Sequence, residues 1–258
     1  MGRRSVSLQD QDRWVFNRLA GAYAARPGYP GALVERLAAL AGGPGARAAD
    51  LGAGVGHLAL PLAAAGLEVS AVEPARAMLD ALARRAAAAP RLAPVHAAAE
   101  ATGLPGGGFD LVLLADAVQW VDPERCGAEA ARLLRPGGTI ALVEARFADT
   151  PFMEGLAALL ARENPKARSR PAGAGRQLLA LAAPGASPAE ERFRQEAALD
   201  PAALEGVLRS LSFAGPALAP ARLAALLAEA ERLAARAGGA RFERELTLRW
   251  ARRRPRAA

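Results

Sequence analysis

The strongest constraint on the fold is a regular alternation of strand-like and helix-like segments between residues 47 and 144. Short apolar runs typical of strands are separated by segments whose apolar residues have helical spacing. The clearest run, Phe109 to Leu114, suits a strand buried on both faces of a sheet. Such alternation predicts parallel strands joined by right-handed crossovers, with helices on both faces. The five runs are residues 47–51, 68–72, 91–97, 109–114 and 139–144.

The alternation weakens after residue 150, where helical patterns dominate. Two further strands are predicted, over residues 193–199 and 242–250, and the second alternates apolar with polar residues. No shift in composition separates a second domain from the first. Helices are predicted over residues 10–25, 31–41, 57–65, 75–89, 123–134, 152–163, 177–183, 201–210 and 221–237.

Charge limits the classes of partner. The formal net charge of the 258-residue chain is +7, and Lys166 is the only lysine among its 33 basic residues. Acidic residues are interspersed with most of the arginines, and the main unbalanced cluster is Arg252, Arg253, Arg254 and Arg256. This pattern is more consistent with compositional bias and solvated surfaces than with a nucleic-acid partner. Nucleic acid is therefore disfavoured but stays open as a partner.

The sequence also shows no pattern typical of a targeting signal. No apolar run approaches the roughly 20 residues that a membrane helix requires. No apolar segment follows Arg3 and Arg4, so no signal peptide is predicted. The single Cys126 cannot form an internal disulfide. We therefore expect a cytoplasmic protein without a membrane partner.

A glycine-rich turn between the first strand and the next helix is the candidate ligand site. Its sequence, residues 50–57, reads Asp-Leu-Gly-Ala-Gly-Val-Gly-His. Glycine lets the backbone turn tightly and approach a ligand closely. In such sheets ligands bind at the carboxyl ends of the strands, near a helix N-terminus. A dinucleotide fingerprint would place its third glycine at His57, so a nicotinamide dinucleotide is disfavoured.

Three further segments define this site. Glu73 lies 21 residues after Gly52, at the end of the second strand, where an acid can accept hydrogen bonds from a ribose diol. Ala98-Ala99-Glu100 follows the third strand. Residues 133–138 precede the fifth strand, and their Pro-Gly-Gly sequence is interpreted as a turn.

Together these segments resemble the class I S-adenosylmethionine-dependent methyltransferases, in particular the small-molecule subgroup called type 11. Residues 50–56 resemble the first motif of that family, and Glu73-Pro74 resembles its ribose-binding acid. Residues 109–112 and 133–138 resemble the motifs of the fourth and fifth strands. Tyr23, Arg26-Pro27 and Tyr29-Pro30 resemble the N-terminal segment that closes over the cofactor. The resemblance covers most of the chain.

The resemblance implies an α/β fold. Its sheet would be doubly wound, mostly parallel, seven-stranded and Rossmann-like, with an antiparallel last strand and helical insertions over the ligand end. We expect a single methyltransferase domain over residues 1–258. Its parts would be an N-terminal helical lid (1–30), a cofactor-binding core (45–145), substrate-side insertions (151–239) and a final strand (240–252).

The resemblance also implies S-adenosyl-L-methionine as the cofactor. The glycine backbone would hold its methionine part, Glu73 its ribose, and Ala99 with Glu100 its adenine. Two positions depart from the family pattern: Ala98 stands where an acid is common, and Gln119 where histidine is common. The implied cofactor-contacting residues are Tyr23, Arg26, Gly52, Ala53, Gly54, Gly56, Glu73, Pro74, Met78, Ala99, Glu100, Asp116 and Trp120.

The implied activity is in-line transfer of the sulfonium methyl to a small-molecule acceptor. No Asn-Pro-Pro-Tyr type motif follows the fourth strand, which favours a small acceptor over nucleic acid or protein. The alternatives are an RNA methyltransferase and a homologue that binds cofactor without turnover. No catalytic residue is identified, and the candidates are Asp116, His57 and Tyr23. No metal site is predicted, and the chain is expected to be a monomer or a homodimer.

Overall fold

The computed structural model describes residues 8–164 and 173–254, with side chains described from Val15 onward. The described strands form one seven-stranded sheet in the order β3-β2-β1-β4-β5-β7-β6. The strands are β1 (Arg47–Leu51), β2 (Glu68–Val72), β3 (Leu92–Val95), β4 (Phe109–Ala115), β5 (Leu134–Phe147), β6 (Ala189–Leu199) and β7 (Ala240–Arg252).

Strand direction confirms the predicted architecture. The pairs β1–β2, β1–β4, β2–β3 and β4–β5 are parallel. Strand β7 runs antiparallel to both of its neighbours, β5 and β6. The sheet is therefore mostly parallel, with an antiparallel last strand inserted between two earlier ones.

The helices alternate with the strands up to β5 and dominate afterwards. Two of them start with a proline preceded by an aspartate cap: Asp122 accepts hydrogen bonds from Glu124 N and Arg125 N, and Asp200 accepts one from Ala203 N. The helices are α1 (Leu8–Tyr23), α2 (Gly31–Ala41), α3 (Ala59–Ala64), α4 (Arg76–Ala86), α5 (Pro123–Leu133), α6 (Pro151–Glu163), α7 (Ala174–Ala182), α8 (Pro201–Ser210) and α9 (Pro220–Arg236), with a 3-10 turn at Val118–Trp120.

Both faces of the sheet are covered by helices, and β4 shows how. Leu111 and Leu113 belong to the apolar cluster that contains α2 and α3. Val112 and Leu114 belong to the cluster on the other face, with α5 and α7. Because successive side chains of a strand point to opposite faces, an apolar run such as this one fills both cores.

A third apolar cluster joins α6, α8 and α9 to the start of β7. Helix α1 packs against α4 and α8, and its Leu19 shares a small cluster with Val55, Ala75 and Met78. Because those residues surround the glycine turn and the start of α4, α1 lies over the ligand end of the sheet. No described helix is both long enough and apolar enough to cross a bilayer.

The prediction of a turn at Pro136-Gly137-Gly138 is wrong, because this segment lies inside β5. Phe109 pairs with Leu134, but Leu111 pairs with Thr139, so β5 bulges between the two pairs. The bulge places Gly137 at a φ of 78°. Gly137 N donates to the carbonyl of Arg253, and Arg253 N donates to the carbonyl of Gly138, so pairing with the residue after β7 keeps the segment in the sheet.

Gly56 illustrates how the glycine turn depends on close packing. Its φ is 85°, and a Cβ there would lie 2.4 Å from Cδ1 of the buried Leu82. We expect Gly56→Ala to lower the free energy of unfolding by about 2 kcal/mol, because the strained backbone conformation and the overpacking at Leu82 would each destabilise the fold. Gly45→Ala is the matched control, since Gly45 has a φ of 83° but open space around it. Equal losses in urea denaturation of the two variants would contradict the packing argument.

Candidate functional site

Two adjoining cavities lie at the carboxyl ends of β1, β2 and β4. Counted with the open space at their mouths, their volumes are about 620 and 460 Å³. Five residues line both cavities, so the two form one connected site: Tyr23, Gly52, Gly54, Ala115 and Asp116.

The larger cavity, here called the apolar cavity, is lined mainly by apolar side chains. The buried acid Glu73 lies in its wall. Helix α1 contributes Phe16, and the 3-10 turn contributes Trp120, whose rings meet edge to face at 5.0 Å. The remaining lining residues are Pro74, Ala75, Met78, Ala99, Glu100, Ala117 and Val121.

Glu73 connects two elements of the apolar cavity. Its Oε2 accepts a hydrogen bond from Gly54 N at 2.9 Å, and its Oε1 accepts one from Ala75 N at 2.8 Å. The carboxylate thus ties the glycine turn to the start of α4. A carboxylate oxygen can accept more than one hydrogen bond, so these backbone contacts are compatible with a ligand hydroxyl at Glu73.

The loop after β3 is fixed by two carboxylates. Glu129 of α5 accepts from Thr102 N at 2.9 Å and from Arg132 Nε at 2.7 Å. Hydrogen bonds from Arg132 and Thr102 lower the pKa of Glu129 to about 2, so it stays ionised. Glu100 Oε1 accepts from Asp122 N at 3.0 Å. The wall that carries Ala99 and Glu100 is therefore preformed.

The smaller cavity, here called the polar cavity, contains most of the charge. Asp116, at the tip of β4, has a φ of 51°, which is uncommon for a residue other than glycine. Its Oδ1 accepts from Ala145 N at 2.9 Å. Its Oδ2 accepts from Arg244 Nη1 at 3.2 Å and from the Tyr29 hydroxyl at 3.3 Å. Burial, followed by the charge of Asp116, raises the pKa of Tyr29, so this phenol stays protonated.

Arg244 is anchored from the side opposite Asp116. Its Nε donates to Gln195 Oε1 at 2.6 Å, and the Gln195 amide donates to the carbonyls of Pro27 and Gly28. These bonds fasten the segment after α1 to β6 and β7.

Arg26 fastens the same segment to α8. Its Nε donates to Ser210 Oγ at 2.8 Å, and its Nη2 donates to the Ser210 carbonyl at 2.9 Å. Its Nη1 donates to the Tyr23 hydroxyl at 3.1 Å, and its guanidinium lies 4.1 Å from the centre of the Tyr23 ring. These contacts hold the end of α1 over both cavities.

His57 is a neutral base at the wall of the polar cavity. Its ring stacks on that of Tyr23 with a centroid distance of 5.9 Å. Burial, followed by the positive charge of Arg85, lowers the pKa of His57 to about 4. One ring nitrogen bonds the backbone of Ala24, while Nε2 is buried and has no hydrogen-bond partner among the described residues. This nitrogen can accept a proton or a hydrogen bond from a ligand.

Asp50, at the end of β1, is the most unusual group in the site. It is buried, and its Oδ1 has no hydrogen-bond partner within the described part of the chain. Burial, followed by the negative charge of Glu73, raises its pKa to about 7. A buried acid of this kind fits a ligand that brings a positive charge.

Twelve of the thirteen residues predicted to contact the cofactor line one or both cavities, and Gly56 lines neither. The candidates Asp116, His57 and Tyr23 all line the polar cavity. Sequence reasoning missed Phe16 and Arg244 as lining residues, and it placed Tyr29 in the segment over the cofactor without naming it as a contact. No local signal could have found Arg244, because the pairing of β7 with β5 brings it there. No cluster of three or more metal-ligating side chains is present in residues 8–164 and 173–254.

Comparison with known proteins identifies the class of this site. A family model described as a methyltransferase domain matches residues 49–142. An uncharacterized methyltransferase of Mycobacterium tuberculosis is 38% identical over 170 residues, which is 65% of this chain and 65% of that relative. The aligned part of the chain thus spans less than two thirds of the relative's length.

Solved structures share the fold over nearly the whole chain. A structure from Anaeromyxobacter dehalogenans, assigned to type II methyltransferases, is 29% identical with a TM-score of 0.64, and the alignment covers 89% of this chain and 97% of that one. A phosphoethanolamine N-methyltransferase of Haemonchus contortus, solved with S-adenosylhomocysteine, is 15% identical with a TM-score of 0.54. That alignment covers 96% of this chain and 59% of the other.

Proposed function

We propose that the chain, whose residues 49–142 match a methyltransferase domain and whose Rossmann-like fold is shared with methyltransferase structures, transfers a methyl group from S-adenosylmethionine to a small-molecule acceptor. The observation that carries the proposal is the connected pair of cavities at the strand ends. One cavity is apolar with a buried acid, as an adenosine group requires. The other is polar and charged, as an amino acid group requires.

The described residues fit this cofactor. Met78, Ala99 and Glu100 would hold the adenine and Glu73 the ribose, while Asp50 would face the ammonium group. Asp50 Oδ1, which is buried with no hydrogen-bond partner among the described residues, best supports a positively charged group here. Arg26 would hold the carboxylate of the methionine part. When bound, this cofactor supplies a methyl group activated by a sulfonium.

Gly54 keeps the two cavities continuous. Its φ is 57°, and a Cβ there would lie 3.7 Å from the Tyr23 ring, in the space between the turn and α1. A glycine at this position lets the backbone approach a ligand as an L residue could not. We assign it to the methionine part of the cofactor.

The contribution of the chain to the reaction is mainly alignment and exclusion of water. We propose that α1 and the segment through residue 30 act as a lid, held by the bonds of Arg26 to Ser210. Alignment of reacting groups in a closed site can supply roughly 7–11 kcal/mol in favourable systems. If the acceptor atom carries a proton, His57 Nε2 would take it, because this nitrogen is neutral and has no hydrogen-bond partner in the part of the chain that the structure describes. Asp116 would position Arg244 and Tyr29.

Two features favour a small acceptor over RNA. The polar cavity lies under the lid segment and has no broad basic groove leading into it among its lining residues. Arg252, the first residue of the arginine cluster, lies at the far end of the sheet, since it pairs with Thr139 at the start of the parallel part of β5. A polyanion bound at Arg252 would be remote from Asp116.

Calorimetry of the full chain with S-adenosylhomocysteine tests the proposal. We expect one molecule to bind per chain, with no heat for NAD+ as the control ligand. Release of S-adenosylhomocysteine from S-adenosylmethionine is then followed in the presence of mixed small acids, alcohols and amines. If neither sulfur compound binds, the proposal is wrong. Tight binding with no transfer to any acceptor would favour the homologue that binds cofactor without turnover.

A further inference from the structure

The two arginines of the polar cavity differ in their partners. Arg26 contacts a hydroxyl, a carbonyl and an aromatic ring, and it has no carboxylate within ion-pair distance among the described residues. Arg244 has one carboxylate partner, Asp116, at 3.2 Å. The cavity therefore contains more guanidinium groups than carboxylates that contact them.

Arg244 is the better buried of the two, with only 9% of the residue exposed. Its Nε donates to Gln195 and its Nη1 to Asp116, whereas no hydrogen bond from its Nη2 is found within the described residues. A guanidinium can donate five hydrogen bonds. The Nη2 group is thus available to an acceptor atom inside the cavity that Arg244 lines.

The cofactor accounts for only one of these arginines. It carries a single carboxylate, which the proposed function assigns to Arg26 beside Tyr23 and the glycine turn. Arg244 lies beside Tyr29 and Asp116. Because Asp116 contacts only its Nη1, the Nη2 group can hold a second anionic group, which the acceptor would bring.

The neighbourhood of Arg244 favours a singly charged anion. The Asp116 carboxylate lies beside the guanidinium and would repel a phosphate dianion more strongly than a carboxylate. A planar carboxylate also matches the geometry of the guanidinium. Because Gln195 and Asp116 hold Arg244 in place before any ligand arrives, little side-chain entropy would be lost on binding.

We propose that the methyl acceptor is a small carboxylic acid whose carboxylate is held by Arg244 in the polar cavity. This inference rests on the proposed function, since it needs the cofactor to occupy the rest of the site. It makes Arg244 a determinant of acceptor specificity and leaves cofactor binding to other residues.

The test is titration of the chain saturated with S-adenosylhomocysteine. The probes are acetate, benzoate and succinate, with benzyl alcohol as the neutral analogue of benzoate and inorganic phosphate as the dianion. We expect at least one carboxylate to bind more tightly than both comparators. Arg244→Gln should weaken that binding at least tenfold and leave the affinity for S-adenosylhomocysteine unchanged within twofold. Arg241→Gln, an exposed arginine of the same strand, should change neither affinity.

A second variant covers the case in which Arg244→Gln does not fold. Arg244→Lys keeps the charge but loses the planar donor geometry, and we expect it to weaken carboxylate binding about threefold. The inference is overturned if no carboxylate binds, if phosphate binds more tightly, or if either folded Arg244 variant retains full carboxylate affinity. It is also overturned if Arg244→Gln weakens S-adenosylhomocysteine, because Arg244 would then serve the cofactor. Failure of wild-type chain to bind S-adenosylhomocysteine is a distinct result, which removes the proposed function itself.

Discussion

Replacing Glu73 with glutamine is expected to weaken binding of S-adenosylhomocysteine by roughly 10- to 150-fold. Hydrogen bonds to a charged acceptor are worth about 1.5–3 kcal/mol, and glutamine, which keeps one acceptor oxygen, would lose one of the two that we assign to the ribose hydroxyls. The buried carboxylate also accepts from Gly54 N and Ala75 N, so glutamine would lose one of these bonds as well. Isothermal calorimetry at pH 7.5 measures the change directly.

The matched control for this prediction is Glu68→Gln. Glu68 opens the strand that Glu73 follows, but it is exposed and forms an ion pair with Arg91. Surface pairs of this kind contribute little, so the affinity should not change. Thermal unfolding of both variants without ligand separates lost binding from lost stability. Equal affinities for wild-type and Glu73→Gln chains would refute the assignment of the ribose to Glu73.

Replacing Asp50 with asparagine is expected to stabilise the unliganded chain at pH 8, by up to about 4 kcal/mol. The pKa of Asp50 rises from its ordinary value of 3.8 to about 7 in the fold, so ionising it in place is unfavourable. The wild-type chain is free of this penalty below pH 3.8 and loses stability as the pH rises to about 7. The gain from asparagine should therefore grow across that window and then level off.

Urea denaturation between pH 4 and pH 8 measures the difference in unfolding free energy between the two chains. Asp80→Asn is the control, because Asp80 is half exposed and pairs with Arg76 on the surface of α4. Its effect should be small at every pH. A difference for Asp50→Asn that does not vary with pH would contradict the buried, unpaired state of the acid.

The same acid links cofactor binding to pH. An ammonium group beside Asp50 favours its ionised form, so binding at pH 7 should release up to about half a proton per chain. Calorimetry in buffers of different ionisation enthalpy detects this release, and Asp50→Asn should abolish it. The affinity of the wild-type chain should rise as the pH increases through 7.

Most of the central part of the fold could be predicted from local sequence patterns. The glycine turn, Glu73 and the loop after β3 are each short segments at the end of a predicted strand. In a parallel sheet, such segments meet at one edge whatever the rest of the chain does. Their clustering around one cavity could therefore be predicted without knowing any long-range pairing.

The acceptor side depends on contacts that no local pattern reports. Arg244 and Gln195 belong to β7 and β6, and they reach the site because β7 inserts beside β5. The alternation of apolar and polar residues in β7 predicts a strand, but it does not predict which strand β7 pairs with. The bulge at Gly137 escaped prediction for the same reason, since pairing with Arg253, just after β7, is what keeps Pro-Gly-Gly in the sheet.

The insertion of β7 between β5 and β6 also has a consequence for biosynthesis. Residues 240–252 are made long after β5, which spans residues 134–147. Until they arrive, the growing polypeptide presents β5 with one row of unpaired peptide groups, a template for association with foreign strands. The nascent protein would thus depend on chaperone protection until β7 has been made. Arg244, which belongs to β7, would reach the pocket only at the end of this interval.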